Sequence, residues 1–203
     1  MKPLGLHTAL RRAAPALALA AFGLAPVAAQ EAYRLPPQDI VDIVDAAPAP
    51  YTSLSPARDT LLLMHREALP PVSELARPME RLAGLRLDAA TNGRHGPRTV
   101  TGLSLIDLET REERTIELPD DAGISAISWS PDGSRIAFTL TRNDTIGIWV
   151  ADVERARARA VVERGVNAVF SPFTWMPDGE RLLVSLTDPD RGARPPRPRG
   201  PAG

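Results

Sequence analysis

Cysteine is absent from the 203 residues, so no disulfide or thiolate metal site can form; an oxidising compartment is tolerated without being exploited. Lysine is nearly absent: Lys2 stands alone, and the later cationic side chains are arginine. A strong excess of charge of either sign is also missing. The formal net charge is −1 and the charges are well mixed, which gives no reason to expect nucleic acid as a partner. Long apolar runs are lacking too. Ala13 to Ala25 is uncharged, but its about 13 residues fall short of the roughly 20 that cross a bilayer, so no stable membrane span is expected. Only three histidines occur, and no Gly-x-Ser-x-Gly nucleophile elbow appears anywhere. Nothing in the chain calls for a cofactor, and none is expected.

What is present starts with an address. Lys2, Arg11 and Arg12 precede the apolar run, and Pro26-Val27-Ala28-Ala29 then offers the small residues that a signal peptidase reads. Residues 1–29 are expected to be a Sec-type signal peptide cleaved after Ala29, which implies a periplasmic or secreted protein. Removal takes the formal charge from −1 to −4. Residues 30–50 read as a lead containing a short helix: Pro36 and Pro37 suit its first turn, and Ile40, Val41, Ile43 and Val44 make an apolar face. Asp39, Asp42 and Asp45 recur on the other face. Nothing nearby supplies further ligands, so they read as a solvated face and no metal site is expected.

From Tyr51 the pattern turns to β, beginning with the apolar run Thr60-Leu61-Leu62-Leu63-Met64. Residues 67–98 read as an irregular insert, with a helical turn near Ser73 that Pro78 interrupts. The most informative feature follows it. Gly102-Leu103-Ser104-Leu105-Ile106-Asp107-Leu108-Glu109 matches Gly147-Ile148-Trp149-Val150-Ala151-Asp152-Val153-Glu154. Ser128-Trp129-Ser130-Pro131-Asp132-Gly133 returns as Thr174-Trp175-Met176-Pro177-Asp178-Gly179. A period near ~45 residues made of four short strands is the mark of a propeller blade. In each turn proline presets φ, glycine accepts a positive φ, and Asp132 or Asp178 bonds nearby backbone. Trp129 and Trp175 are expected at equivalent positions in successive sheets, buried between neighbours. The expected fold is therefore all-β: a partial, incomplete β-propeller of four-stranded blades over residues 51–187. Residues 188–203, rich in proline, arginine and glycine, read as a disordered tail.

The repeats resemble those of the prolyl oligopeptidase family and of the periplasmic Tol-system propeller. A narrower resemblance is carried by Leu35-Pro36-Pro37 through Asp45, by Ala68-Leu69-Pro70-Pro71-Val72-Ser73-Glu74-Leu75-Ala76, and by Arg81-Leu82-Ala83-Gly84-Leu85-Arg86. Thr91-Asn92-Gly93-Arg94 and the Ser128–Gly133 turn extend it. These look like glutamyl-endopeptidase-like members of that family, over roughly residues 34–192. The resemblance implies a secreted serine peptidase whose N-terminal propeller gates access to a C-terminal α/β-hydrolase domain, with hydrolysis of peptides after glutamate. The catalytic triad would lie in that hydrolase domain, so this chain is expected to be inactive alone and to meet peptide only when joined to it. The competing expectation is a non-enzymatic periplasmic propeller that binds or scaffolds.

Candidate site residues are few. Gly102-Leu103-Ser104-Leu105-Ile106 lacks the second glycine of an elbow and sits in a strand. His65 and His95 have no ligand-spaced partner for a triad or metal pair. Ser55-Pro56 with Arg58-Asp59 reads as a degenerate copy of the propeller turn, and Asp132 and Asp178 are accounted for by turn chemistry. No catalytic, metal or cofactor residue is assigned. Arg81, Arg86, Arg94 and Arg98 make the insert loosely basic, either as a solvated surface or as contacts to acidic substrate side chains.

Overall fold

A computed structural model of the chain describes residues 35–70, 72–96, 100–120, 123–142 and 144–192. The expected signal peptide, Arg98 and residues 193–203 of the expected tail lie outside them. The chain divides into two compact units, Met1–Val44 and Asp45–Gly203. The first contributes most of helix α1 (Gln38–Asp45), which buries none of its residues. Pro36 and Pro37 precede it, and the Pro37 carbonyl accepts the first helical N–H groups, from Ile40 and Val41. No helix among the described residues is long and apolar enough to cross a membrane.

From Tyr51 the chain is almost entirely antiparallel β. In order come β1 (Tyr51–Leu54), β2 (Thr60–Arg66), α2 (Val72–Leu75), β3 (Glu80–Leu82), β4 (Leu85–Asp88) and β5 (Gly93–Arg94). Then follow β6 (Val100–Asp107), β7 (Glu113–Thr115), β8 (Gly123–Trp129), β9 (Arg135–Arg142), β10 (Thr145–Asp152), β11 (Arg157–Val162), β12 (Phe173–Trp175) and β13 (Leu182–Val184). Pairing sorts them into modules. Strands β1-β2-β6-β7 form the first and β8-β9-β10-β11 the second, with the register pair Val100↔Ile124 linking β6 to β8. Hairpin β12–β13 stands alone as the third.

The central strands of the second module, β9 and β10, are buried on both faces, and strict alternation decides which residue faces which neighbour. Ile136, Phe138 and Leu140 of β9 pack with Leu62, Leu103 and Leu105 of the first module. Ala137 of β9, with Ile146, Ile148 and Val150 of β10, packs instead with Val166 and Phe173 ahead of and within the third. Each such side chain removed from water stabilises by about 1.5–3 kcal/mol, so the two interfaces hold the modules together.

Three hairpin turns repeat the same geometry. In the second module Gly133 N donates to the Ser130 carbonyl at 2.9 Å and Ser130 N to the Arg135 carbonyl at 2.8 Å. The third copy has Gly179 N on Met176 O at 3.0 Å and Met176 N on Arg181 O at 2.8 Å. The first has Arg58 N on Ser55 O and Ser55 N on Thr60 O, both at 2.9 Å. The residue that needs a positive φ is Gly133 (76°), Gly179 (69°) and, in the degenerate copy, Arg58 (61°). The modules also meet through a constant step. Trp129 Nε1 donates to Ser53 Oγ at 3.0 Å, and Trp175 Nε1 donates to the Ser128 carbonyl at 3.1 Å. Ser53 and Ser128 are equivalent, each three residues before the proline of its turn. Both tryptophans end their strands, at equivalent positions.

Residues 67–98 correct the expectation of an irregular insert. They contain α2 and a three-stranded antiparallel sheet, β3-β4-β5. The reason is local: Ala83 (φ 48°) and Gly84 (φ 83°) form a two-residue loop with both central residues left-handed, the turn that best matches strand twist. Leu82 and Leu85 face each other across it.

Candidate functional site

The strands run between two rims. One carries the repeated turns; the other carries the insert, the link from β9 to β10 and the segment leading into β12. On the insert rim lies a cleft of about 330 Å³, lined by the insert, the start of β8, the end of β9 and residues 168–172. Its outer wall begins at α2 and continues through Asp88, whose carboxylate accepts from Ala90 N and Thr91 N at 3.0 and 3.4 Å. Arg77 closes on the same carboxylate at 2.6 Å and stands 3.8 Å from Asp144. A buried Asp88 is thereby paired and capped, as a buried charge must be.

The cap sets up the turn that follows. Asn92 adopts φ 57°, and Asn92 N donates to the Asp88 carbonyl. Gly93 then passes so close to Ile146 that a Cβ there would sit 2.6 Å from Ile146 Cδ1; only glycine fits without displacement. This approach brings the insert against residues 168–169. Ala168 N donates to Asn92 O at 2.9 Å, Gly93 bridges to Ala168, and Arg94 Nε donates to Val169 O at 2.9 Å. Arg191 adds a bond from Nη1 to Asn92 Oδ1 at 2.8 Å, so part of the segment expected to be tail is tied to the insert.

The inner wall is built by a β-bulge. Register between β8 and β9 shifts between Ser125 and Ser128, with Ala126 at φ 49°. Bulges re-aim side chains and recur beside binding sites. Here Thr139, 1% exposed, donates to the Ser125 carbonyl at 2.9 Å and accepts from Ser125 Oγ at 2.8 Å. Thr141 and Thr91 line the cleft, and Ile124, Ile146 and Phe170 supply its apolar surface.

The sequence-derived candidates are dispersed. His65 Nε2 is hydrogen-bonded to Ser104 Oγ, but Ser104 is fully buried and no substrate reaches it. His95 lines the cleft and its Nε2 bonds the Arg77 carbonyl at 3.0 Å; His65 and His95 are not brought together. No group of three or more metal-ligating side chains occurs among the described residues. Arg81 and Arg86 face each other across the β3–β4 hairpin on an exposed surface, and Arg94 lines the cleft.

The acidic turn residues sit on the opposite rim and behave as turn formers. Asp132 is held at about 2, below the ordinary 3.8, first by the Ser130 hydroxyl at 2.5 Å and then by Ser134. Asp178 is lowered by the Glu180 N–H and by Arg181. Asp59 is lowered by the Ser55 hydroxyl, and Asp107 by the Thr110 and Glu109 N–H groups.

Sequence reasoning missed Arg77, Asp88, Thr91, Ser125, Thr139 and Thr141 as neighbours because they lie in segments far apart in the chain. The one available signal was length: the second module joins β9 to β10 with residues 143–144, whereas the first spends 67–99 on the same connection.

No protein-family model matches the chain. It is 42% identical over 152 residues to a probable chloroplastic glutamyl endopeptidase of Arabidopsis thaliana, and 40% identical over 152 residues to that of Oryza sativa subsp. japonica. Each match covers 68% of this chain and 16% of the relative, so the chain spans about one sixth of the length of the curated relatives it matches. Among solved structures it is similar to Pyrococcus horikoshii acylaminoacyl peptidase, with TM-score 0.39 and 20% identity over 70% of this chain and 17% of that one. It is also similar to TolB of Acinetobacter baumannii, with TM-score 0.31 and 20% identity over 68% and 36%. By its sequence the chain is related to the glutamyl endopeptidases.

Proposed function

We propose that this chain is β-propeller material of an exported serine peptidase, acting as a gate over a hydrolase domain and carrying no catalytic residue itself. The observation behind this reading is the constant step between modules: Trp129 reaches Ser53 as Trp175 reaches Ser128, with the same turn beside each pair. A repeated step of four-stranded modules packed face to face is how blades succeed one another around a propeller. The free edge of β13 fits the reading as well, since among the described residues Leu182–Val184 pairs on one side only. The Ser104–His65 pair supplies no nucleophile, because its serine is inaccessible. Export rests on the composition of residues 1–29.

Two measurements test this. The 203-residue chain should resist labelling by a fluorophosphonate and should not cleave glutamate-containing peptides. Fused ahead of a glutamyl endopeptidase hydrolase domain, it should restrict cleavage to short peptides. Fluorophosphonate labelling of the chain alone, or a fusion that cuts folded proteins as fast as peptides, would refute the proposal.

A further inference from the structure

We infer that the groove between β11 and the free edge of β13 is a docking site for an extended strand-and-turn segment of a partner polypeptide, chemically like β10 and the turn after it. One wall is the β13 edge. Met176 N bonds to Arg181 O and Ser185 N to Pro172 O, so alternation along the ladder turns the Leu183 backbone groups toward β12 as well. The N–H and C=O groups of Leu182 and Val184 therefore point the other way, and no strand among the described residues takes them. Val150 of β10, with Arg159 and Val161 of β11, makes the floor. The space between measures about 770 Å³.

The junction of the first and second modules shows what such a space holds. Arg159 stands where Arg114 stands one repeat earlier, since Val150 pairs with Arg159 as Leu105 pairs with Arg114. Arg114 reaches across to the second module and donates to the carbonyl of Glu154, in the turn after β10. Beside that contact, Trp149 and Ala151 of β10 pack into the core shared with the first module. They pair with Phe138 and Ile136 of β9, whose counterparts in the third module are Val184 and Leu182. Arg159 lacks its carbonyl: it is exposed, and no group among the described residues bonds its guanidinium. An aromatic and then a small apolar residue at alternate positions, followed by a turn carbonyl, would meet Val184, Leu182 and Arg159 in that order. Pro195, Pro196, Pro198 and Pro201 lack the N–H that a ladder needs, so residues 193–203 are not that segment. Main-chain bonds supply affinity in strand addition, and alternate side chains supply selectivity. The inference rests on the modular part of the proposed function and not on its peptidase part.

Fluorescence anisotropy of a labelled peptide with the sequence of residues 145–162, titrated with the 203-residue chain, tests it. The peptide should bind saturably. Methylating its Trp149 and Ala151 nitrogens keeps every side chain and removes the two N–H groups aimed at β13; binding should weaken about tenfold or more. Arg159→Ala in the chain, with an unchanged circular dichroism spectrum, should weaken it about threefold. Arg86→Ala, in the insert, should change nothing. No saturable binding, undiminished binding of the methylated peptide, or indifference to Arg159→Ala would overturn the inference. A dimer seen in sedimentation that the peptide dissolves would assign the groove to a second copy and overturn the choice of partner. None of these readouts involves hydrolysis, so failure here leaves the peptidase reading standing. A Trp129→Ala variant of unchanged stability would instead sink the modular reading.

Discussion

The two rims of the sheet modules solve different problems with different materials. On the turn rim each residue answers a local need: proline for φ, glycine for the left-handed position, an aspartate or serine oxygen for orphan N–H groups. Neighbouring copies also touch through arginine side chains on turn carbonyls, Arg135 Nη1 on the Gly179 carbonyl and Arg114 on the Glu154 carbonyl. Repetition also extends to the second row of turns, where Asp107 caps Thr110 N and Asp152 caps Arg155 N. The insert rim has no repeat. Its contacts join residues 75 or 99 positions apart, such as Arg94 with Val169 and Arg191 with Asn92. The lesson is that local chemistry supplies the scaffold and long-range contacts supply the cleft.

The comparison is most sharply broken at the tryptophan step. Trp129→Ala should lower stability by about 3 kcal/mol, because it removes a large packed side chain and strands Ser53; a urea midpoint shift smaller than that of an exposed alanine substitution would contradict the constant step. Next in size, Arg77→Ala on the insert rim leaves the buried Asp88 without its counter-ion and should cost about 2 kcal/mol. Adding Asp88→Asn should recover part of that loss, measured in a double-mutant cycle.

Glycine positions separate the rims at a finer scale. Gly133→Ala places a Cβ at φ 76° and 3.4 Å from Pro56, and should cost about 1–2 kcal/mol. The reverse change in the degenerate copy, Arg58→Gly, should raise thermal stability by up to about 1 kcal/mol, since that residue already holds φ 61°. A loss there would mean that the Arg58 side chain matters more than its backbone.

The smallest effect is acid lability. Depressed carboxyl pKa values contribute stability above the unfolded value, and the contribution is lost as pH falls through the folded one. For Asp132 that window runs from 3.8 down to about 2. Asp132→Asn should therefore flatten the pH dependence of the melting temperature in that window and leave it unchanged near neutrality in slope.

How much of this was legible beforehand follows the same division. The turns, the alternating strands and the modular period were written in short stretches: Pro131-Asp132-Gly133, Gly147 through Asp152, Trp129 and Trp175. Their physics is complete within about six residues. The insert sheet was readable in principle from Ala83-Gly84, but one alanine at positive φ weakened the hairpin signal. The cleft was not readable. Arg94 looks like three other arginines until Gly93 is found against Ile146 and the chain is seen to reach Ala168.

That contact has a further consequence. In a row of modules that each touch only their immediate neighbours, rupture can start at any junction and spread one junction at a time. The insert leaves the first module, touches the second at Ile146 and fastens onto the approach to the third. Such a crosstie makes both junctions fail together, so the row behaves as a single cooperative body whose spacing is set by a loop.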